Sequence, residues 1–257
     1  MADGLLVDVR NLSVRYSSGY ALRDVSARFK KGRITALVGP SGCGKTSFLN
    51  CLNRMTDLIP GCEVSGRISI GGESVTDPST DLQRLRRRVG MIFQRPNPFP
   101  LSIRQNIQLA LREHGTTEQE QLETITQRVL TDVGLWGEVS GRLDGSARDL
   151  SGGQAQRLCL ARALALEPEL LLMDEPCSAL DPIASEKVEQ HIASLGEHYT
   201  VLIVTHNLGQ AKRIADETIV FWVSEGAGRI VEQGRTEQIF DSPTEAVTAD
   251  YVTGRAG

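Results

Sequence analysis

Apolar and polar residues alternate through LLVDVRNLSVRY (5–16), VSARF (25–29) and RITALVG (33–39), which predicts short strands parted by turn residues. A glycine-rich turn follows, and a helix is expected from Lys45 to about Met55. GRISIGG (66–72) and VGMIF (89–93) read as further strands. At RPNPFP (95–100) three prolines in six residues forbid a helix and predict a rigid connection. From Ser102 to about Leu164 the pattern turns mostly helical, which predicts a helical subdomain inserted between strands. ELLLMDE, a helix from about Pro182 to Leu195, TVLIVTH, a short helix and TIVFWV then follow in turn. Continuous apolar strands between helices predict a mostly parallel sheet covered on both faces. After about Gly234 a short helical tail is expected.

Composition narrows the class. The 257 residues are 40% hydrophobic and 23% charged, as in a globular domain large enough to bury a core. A net charge of −4 lacks the basic footprint that nucleic acid demands, so no nucleic-acid partner is expected. The RLRRR run (84–88) is then expected to be a solvated helix face. Cys43, Cys51, Cys62, Cys159 and Cys177 form no CxxC pair and are expected to be buried or idle thiols. MADGLLVDVR has no basic region leading into an apolar stretch, so no signal peptide is expected. The longest apolar runs, TVLIV (200–204) and TIVFWV (218–223), are strand-sized, whereas a membrane helix needs about 20 apolar residues. Work at a membrane would need another chain to span it.

Two segments carry phosphate chemistry. Gly39-Pro40-Ser41-Gly42-Cys43-Gly44-Lys45-Thr46 fits G-x-x-x-x-G-K-[ST], between an apolar strand and a helix. Gly39, Gly42 and Gly44 let backbone N–H groups curl around phosphate oxygens, Lys45 brings a mobile charge to the β- and γ-phosphates, and the Thr46 hydroxyl suits Mg²⁺. ELLLMDE is a buried strand that delivers Asp174 and Glu175 to the carboxyl edge of the sheet, where ligands bind in open α/β folds. There Asp174 would hold Mg²⁺ and Glu175 would orient or deprotonate an attacking water. TVLIVTHN brings His206 to the end of the next strand, within reach of the same phosphate. Far downstream, LSGGQAQRLCLARAL (150–164) places Ser151, Gly152, Gly153 and Gln154 at the start of a second helix. Its free N–H groups form a second phosphate-binding feature.

Together these motifs resemble the ATP-binding cassette family, the ATPase subunits of ABC transporters, from about residue 5 to 251. The resemblance implies a P-loop α/β core with an N-terminal antiparallel β-subdomain and an inserted helical subdomain near 96–165, in a single domain over 1–257. It implies ATP and Mg²⁺ as cofactors. It also implies a head-to-tail homodimer, in which Ser151–Gly153 of one chain closes over the γ-phosphate held by the P-loop of the other. Tyr16 matches the position that stacks on adenine, with Tyr20 as the competing candidate. Gln94 matches the glutamine that senses Mg²⁺ and water, Ser178–Asp181 the loop that crosses the dimer interface, and His206 the switch histidine. Thr46-Ser47 reverses the order commoner in the family, and either hydroxyl suits Mg²⁺. Ala155, Leu101 and Arg104 depart from the commonest residues at their positions.

RPNPFPLSIRQNI, CLNRMTDLIPGCEVSGRISIGGESV (51–75) and MDEPCSALDPIAS (173–185) are similar to the phosphate-importing branch. That branch implies two transmembrane permease subunits, an external phosphate-binding protein acting indirectly, and peripheral residence on the cytoplasmic face of the inner membrane. Import of another solute, an amino acid or another oxyanion, stays open on these residues, as does a soluble, non-transport cassette.

Overall fold

The computed structural model describes residues 4–196 and 198–256. Part of the segment on which the signal-peptide expectation rests, Met1–Asp3, lies outside them. The chain opens with a hairpin of β1 (Leu5–Tyr16) and β2 (Gly19–Lys30), so the second strand begins earlier than the sequence pattern places it. The short β3 (Ile34–Val38) is wholly buried and feeds the glycine loop and α1 (Lys45–Leu52). That helix stops short of the expected Met55, where a separate 3-10 turn, Met55–Leu58, begins. β4 (Glu63–Ile70) and β5 (Glu73–Ser74) complete the antiparallel edge, and α2 (Leu82–Arg88) leads into β6 (Val89–Ile92).

The proline segment carries no helix, as expected. Beyond it run α3 (Ile103–Glu113), α4 (Gln119–Asp132), the single turn α5 (Trp136–Val139) and α6 (Gly152–Leu164). The core then resumes with β7 (Leu170–Asp174), α7 (Pro182–Leu195), β8 (Thr200–Val204), α8 (Leu208–Ile214), β9 (Glu217–Ser224) and β10 (Ala227–Arg235). α9 (Thr236–Asp241) and α10 (Ala246–Val252) form the helical tail.

All ten strands join one mixed sheet in the order β5-β4-β1-β2-β10-β9-β3-β8-β7-β6. β9, β3, β8, β7 and β6 pair in parallel, while β4, β1 and β2 form the antiparallel subdomain. The core strands are therefore parallel, as the sequence predicts, and the N-terminal strands antiparallel. β10 joins the two parts: it folds back on β9 as an antiparallel hairpin and meets β2 in parallel through Gly228 and Leu22.

The apolar runs of the parallel strands are continuous because both faces are covered. Leu170 and Leu172 of β7 pack with the hairpin and α1, and Leu171 and Met173 pack on the opposite face with the later helices. In β8, Leu202 and Val204 take the first face, Val201 and Ile203 the second. A strand buried this way holds its last residues rigidly at the carboxyl edge.

The arginine run departs from the solvated face expected of it. Arg86 donates to the carbonyls of Asn53 and Arg54, where the chain leaves α1. Arg88 pairs with Glu73 at 2.7 Å and Glu169 at 2.8 Å, its side chain only 17% exposed. Backbone carbonyls at a helix end and facing carboxylates offered these guanidinium groups better partners than water. All five cysteines are free, four of them buried, and burial pushes the Cys51 thiol up to about 12.

Candidate functional site

β3 ends in a loop that closes on itself. The Lys45 ammonium, 7% exposed, donates to the carbonyls of Gly39 at 2.7 Å and Pro40 at 2.8 Å. Cys43 is buried beneath it, and Ser41 and Gly42 form the exposed rim. Two glycines are required by space as well as by conformation. A β-carbon at Gly39 (φ 142°) would overlap the Phe221 carbonyl oxygen, and one at Gly44 (φ 90°) would lie 2.6 Å from the Ala21 carbonyl oxygen. Gly44 caps α1 without a side-chain hydrogen bond, which leaves the first N–H groups of the helix for an anion.

Thr46 on α1 donates its hydroxyl to Oδ1 of Asp174 at 3.0 Å. Burial pushes the Asp174 carboxyl above the ordinary range, the nearby Glu175 adding to it, while Thr46 and Lys45 pull the other way. A hydroxyl and a half-buried carboxylate converging beside a lysine form the oxygen-donor set that a hard divalent cation takes. The residues thus fit both a nucleotide phosphate and Mg²⁺.

Glu175 follows the last residue of β7 in a left-handed conformation (φ 47°), its N–H bonded to the Val204 carbonyl at 2.9 Å. Its Oε2 accepts from Gln94 Nε2 at 3.1 Å and lies 3.1 Å from His206 Nδ1. Oε1 has no hydrogen bond among the described residues. β8 stops at Val204, so His206 stands two residues past the strand rather than ending it, and 62% of its side chain is exposed. Tyr16, at the end of β1, donates its hydroxyl to Ser47 at 3.1 Å and so lies against the first turn of α1. Tyr20 is 42% exposed, with the Arg23 guanidinium 4.5 Å over its ring.

One site therefore gathers Lys45, Thr46, Asp174, Glu175, Gln94 and His206. The remaining sequence candidates are held elsewhere. Ser151 and Gln154 form a capping box at the start of α6. A β-carbon at Gly152 would meet Leu180 at 3.5 Å, and one at Gly153 would meet Ala184 at 2.8 Å. Among the described residues no hydrogen bond joins Ser151–Gln154 to the glycine loop. Asp181 caps α7, accepting from the N–H groups of Ile183 and Ala184.

Two contributors escaped the sequence patterns. The Tyr251 hydroxyl of α10 accepts the Gly39 N–H at 3.0 Å, across 212 residues of sequence. Glu138 of α5 bonds Gln154 and Arg157. Arg157, among the apolar residues of α6, was the available hint of the second, since a buried guanidinium calls for a carboxylate. The proline segment is anchored by Arg162 of α6, which donates to Asn97 at 3.2 Å and covers the Phe99 ring at 4.3 Å.

A glycine loop closed on a buried lysine, beside a carboxylate held at a strand end, is the working part of a P-loop nucleotide-hydrolysing protein. The ABC transporter family matches over residues 22–178, and the chain belongs to that family, whose ATP-binding cassettes hydrolyse ATP. It is 54% identical, over 98% of its length and 91% of the relative's, to the phosphate import ATP-binding protein PstB 1 of Nitrosococcus oceani. It is 49% identical, over 98% of its length and 89% of the relative's, to the PstB of Rubrobacter xylanophilus. Among solved structures it resembles cbiO1 of Clostridium perfringens, part of the ABC transporter complex cbiONQ (TM-score 0.78, 25% identity, 93% of this chain and 92% of that one). It also resembles the ATP-binding cassette MJ0796, a dimer bound to ADP and Pi after hydrolysis (TM-score 0.75, 29% identity, 90% of this chain and 99% of that one). No helix among the described residues is long and apolar enough to cross a membrane.

Proposed function

We propose that this chain is the ATPase subunit of an importer of inorganic phosphate, and that it hydrolyses ATP only when two copies pack head to tail. The observation that carries the dimer is the division of the site. The Lys45–Glu175 half stands ready, while the Ser151 helix start has no hydrogen bond to it. The solute is supported by the two relatives named for phosphate import, which match nearly the whole chain.

Each residue then has a task. Tyr16 stacks on the adenine. The N–H groups of the glycine loop and Lys45 take the β- and γ-phosphate oxygens, the ammonium exchanging the Gly39 and Pro40 carbonyls for them. Thr46, Asp174 and the free carbonyl oxygen of Gln94 would hold Mg²⁺, whose charge offsets that of the phosphates. Glu175 accepts a proton from the attacking water at Oε1, while Gln94 and His206 steady the carboxylate through Oε2. Ser151 and the N–H groups of Gly152 and Gly153 close over the γ-phosphate from the partner copy. Asp181 and its loop line the seam between copies, a self-complementary contact that two-fold symmetry satisfies twice. The Asn97–Phe99 loop transmits closure to two permease subunits at the inner face of the membrane. An external phosphate-binding protein delivers the solute.

Two measurements test the proposal. The ATPase rate per chain, followed at low concentration, should climb with concentration; a flat line removes the shared site. Deleting the gene should abolish phosphate uptake and spare amino-acid uptake. The reverse pattern would assign the subunit to another importer.

A further inference from the structure

We propose that Glu138 is the positioning residue of the Ser151 helix start: its carboxylate fixes the Gln154 amide, and Gln154 in turn fixes Ser151. The idea rests on the shared-site function proposed above and adds a residue to it.

The side-chain amide of Gln154 is bound at both ends. Its Nε2 donates to Glu138 Oε2 at 2.7 Å, and its Oε1 accepts the Ser151 N–H at 3.1 Å. A carboxylate only accepts and a backbone N–H only donates, so the two partners allow one orientation of the amide. Ser151 Oγ closes the box by accepting the Gln154 N–H at 3.4 Å, and its own proton stays free to donate to a phosphate. Arg142 also donates to Oε1, at 3.5 Å, so without Glu138 the oxygen end keeps its donors while the Nε2 end loses its anchor and the amide is no longer held against Ser151 from both sides.

Glu138 is itself held. Its Oε1 accepts from Arg157 at 2.8 Å, and Arg157, with 5% of its side chain exposed, also donates to the Gly134 carbonyl at 2.7 Å and the Gly153 carbonyl at 3.4 Å. α7 braces the same turn: a β-carbon at Gly134 would overlap the His191 ring. The single turn of α5 thus joins the helix start that faces the partner copy to the helix that follows the Asp181 loop.

The test uses the full chain carrying Glu175→Gln, so that ATP drives dimers that persist. Sedimentation reports dimerisation, ADP titration reports the glycine-loop half alone, and thermal melting reports folding. Glu138→Ala should weaken ATP-driven dimerisation about tenfold, the loss of a helix-cap-sized interaction, with ADP affinity unchanged. Glu138→Gln should recover part of it, because its single amide oxygen must serve two donors, Gln154 and Arg157. Glu138→Ala combined with Gln154→Ala should be no worse than Gln154→Ala alone. Losses of dimerisation that merely follow the melting temperature across Glu138→Ala and Glu138→Gln would reduce Glu138 to a counter-charge for Arg157 and overturn the proposal. Additive losses in the double variant would overturn it as well. If the chain with Glu138 intact fails to dimerise with ATP, the shared site itself falls. If it dimerises and Glu138→Ala does so equally well, only the positioning role falls.

Discussion

Glu175 stands in a left-handed conformation one residue beyond the strand that carries Asp174. That turn points two neighbouring carboxylates at different partners. Asp174 faces Thr46 on the first turn of α1, and Glu175 faces Gln94 and His206. Gln94 donates to Oε2 and His206 Nδ1 lies 3.1 Å from the same oxygen, which leaves Oε1 open. Glu175→Gln keeps the shape and the phosphate contacts but removes the proton acceptor. Turnover should fall about a hundredfold or more while ATP still binds, as single-turnover hydrolysis and nucleotide titration would record. Near-normal hydrolysis would take Glu175 out of this role. Asp174, Glu175 and Lys45 were legible in the sequence because their motifs are local. The Tyr251 hydroxyl under Gly39 was not, since no spacing rule relates residues 212 apart.

Among the elements, α6 links two distant parts of the site region. Its 13 residues span about 20 Å at about 1.5 Å per residue. One end carries the Ser151 helix start, and the other carries Arg162, which grips Asn97 and Phe99 of the proline segment. Burial pulls the Arg162 pKa down, and its hydrogen-bond partners are neutral, so the grip works through one backbone carbonyl, two side-chain amide oxygens and an aromatic face. Arg162→Ala removes a cation–π contact of about 0.5–1 kcal/mol together with the hydrogen bonds to Asn97, Asn106 and the Cys159 sulfur. The isolated chain should keep its ATPase rate, while the transporter should spend more ATP per phosphate imported, measured as hydrolysis and uptake in the same vesicles. Unchanged coupling would mean that α6 does not carry the motion. The helical region was legible from its periodicity, but the direction in which α6 points its two ends was not.

Across the whole molecule, the C-terminal tail returns to the beginning of the site. Glu232 of β10 accepts from the N–H groups of Thr244 and Glu245 and from the Thr244 hydroxyl, which pins the segment before α10. Burial pushes the Glu232 carboxyl up, but these bonds more than offset it and hold it below its ordinary value of 4.5. A depressed carboxylate stabilises the fold fully above the unfolded value, and the contribution is lost as pH falls through the folded one. Acid below about pH 4.5 should therefore loosen α10, and with it Tyr251 and Gly39, before the sheet unfolds. Hydrogen exchange at residues 244–252 would detect this. Glu232→Gln should remove the acid step, and an unchanged profile in that variant would exclude Glu232 as its source.

The local chemistry could be read from the chain alone: strand periods, the glycine loop, the carboxylate pair, the Ser151 helix start and the proline break. Each depends on a few consecutive residues whose spacing dictates backbone conformation. The fold back of β10, the capture of Arg86 and Arg88, the Glu138 bridge and the Tyr251 contact became visible only in three dimensions. They join residues distant in sequence, and their partners are settled by which buried polar groups the packed sheet leaves in need of one.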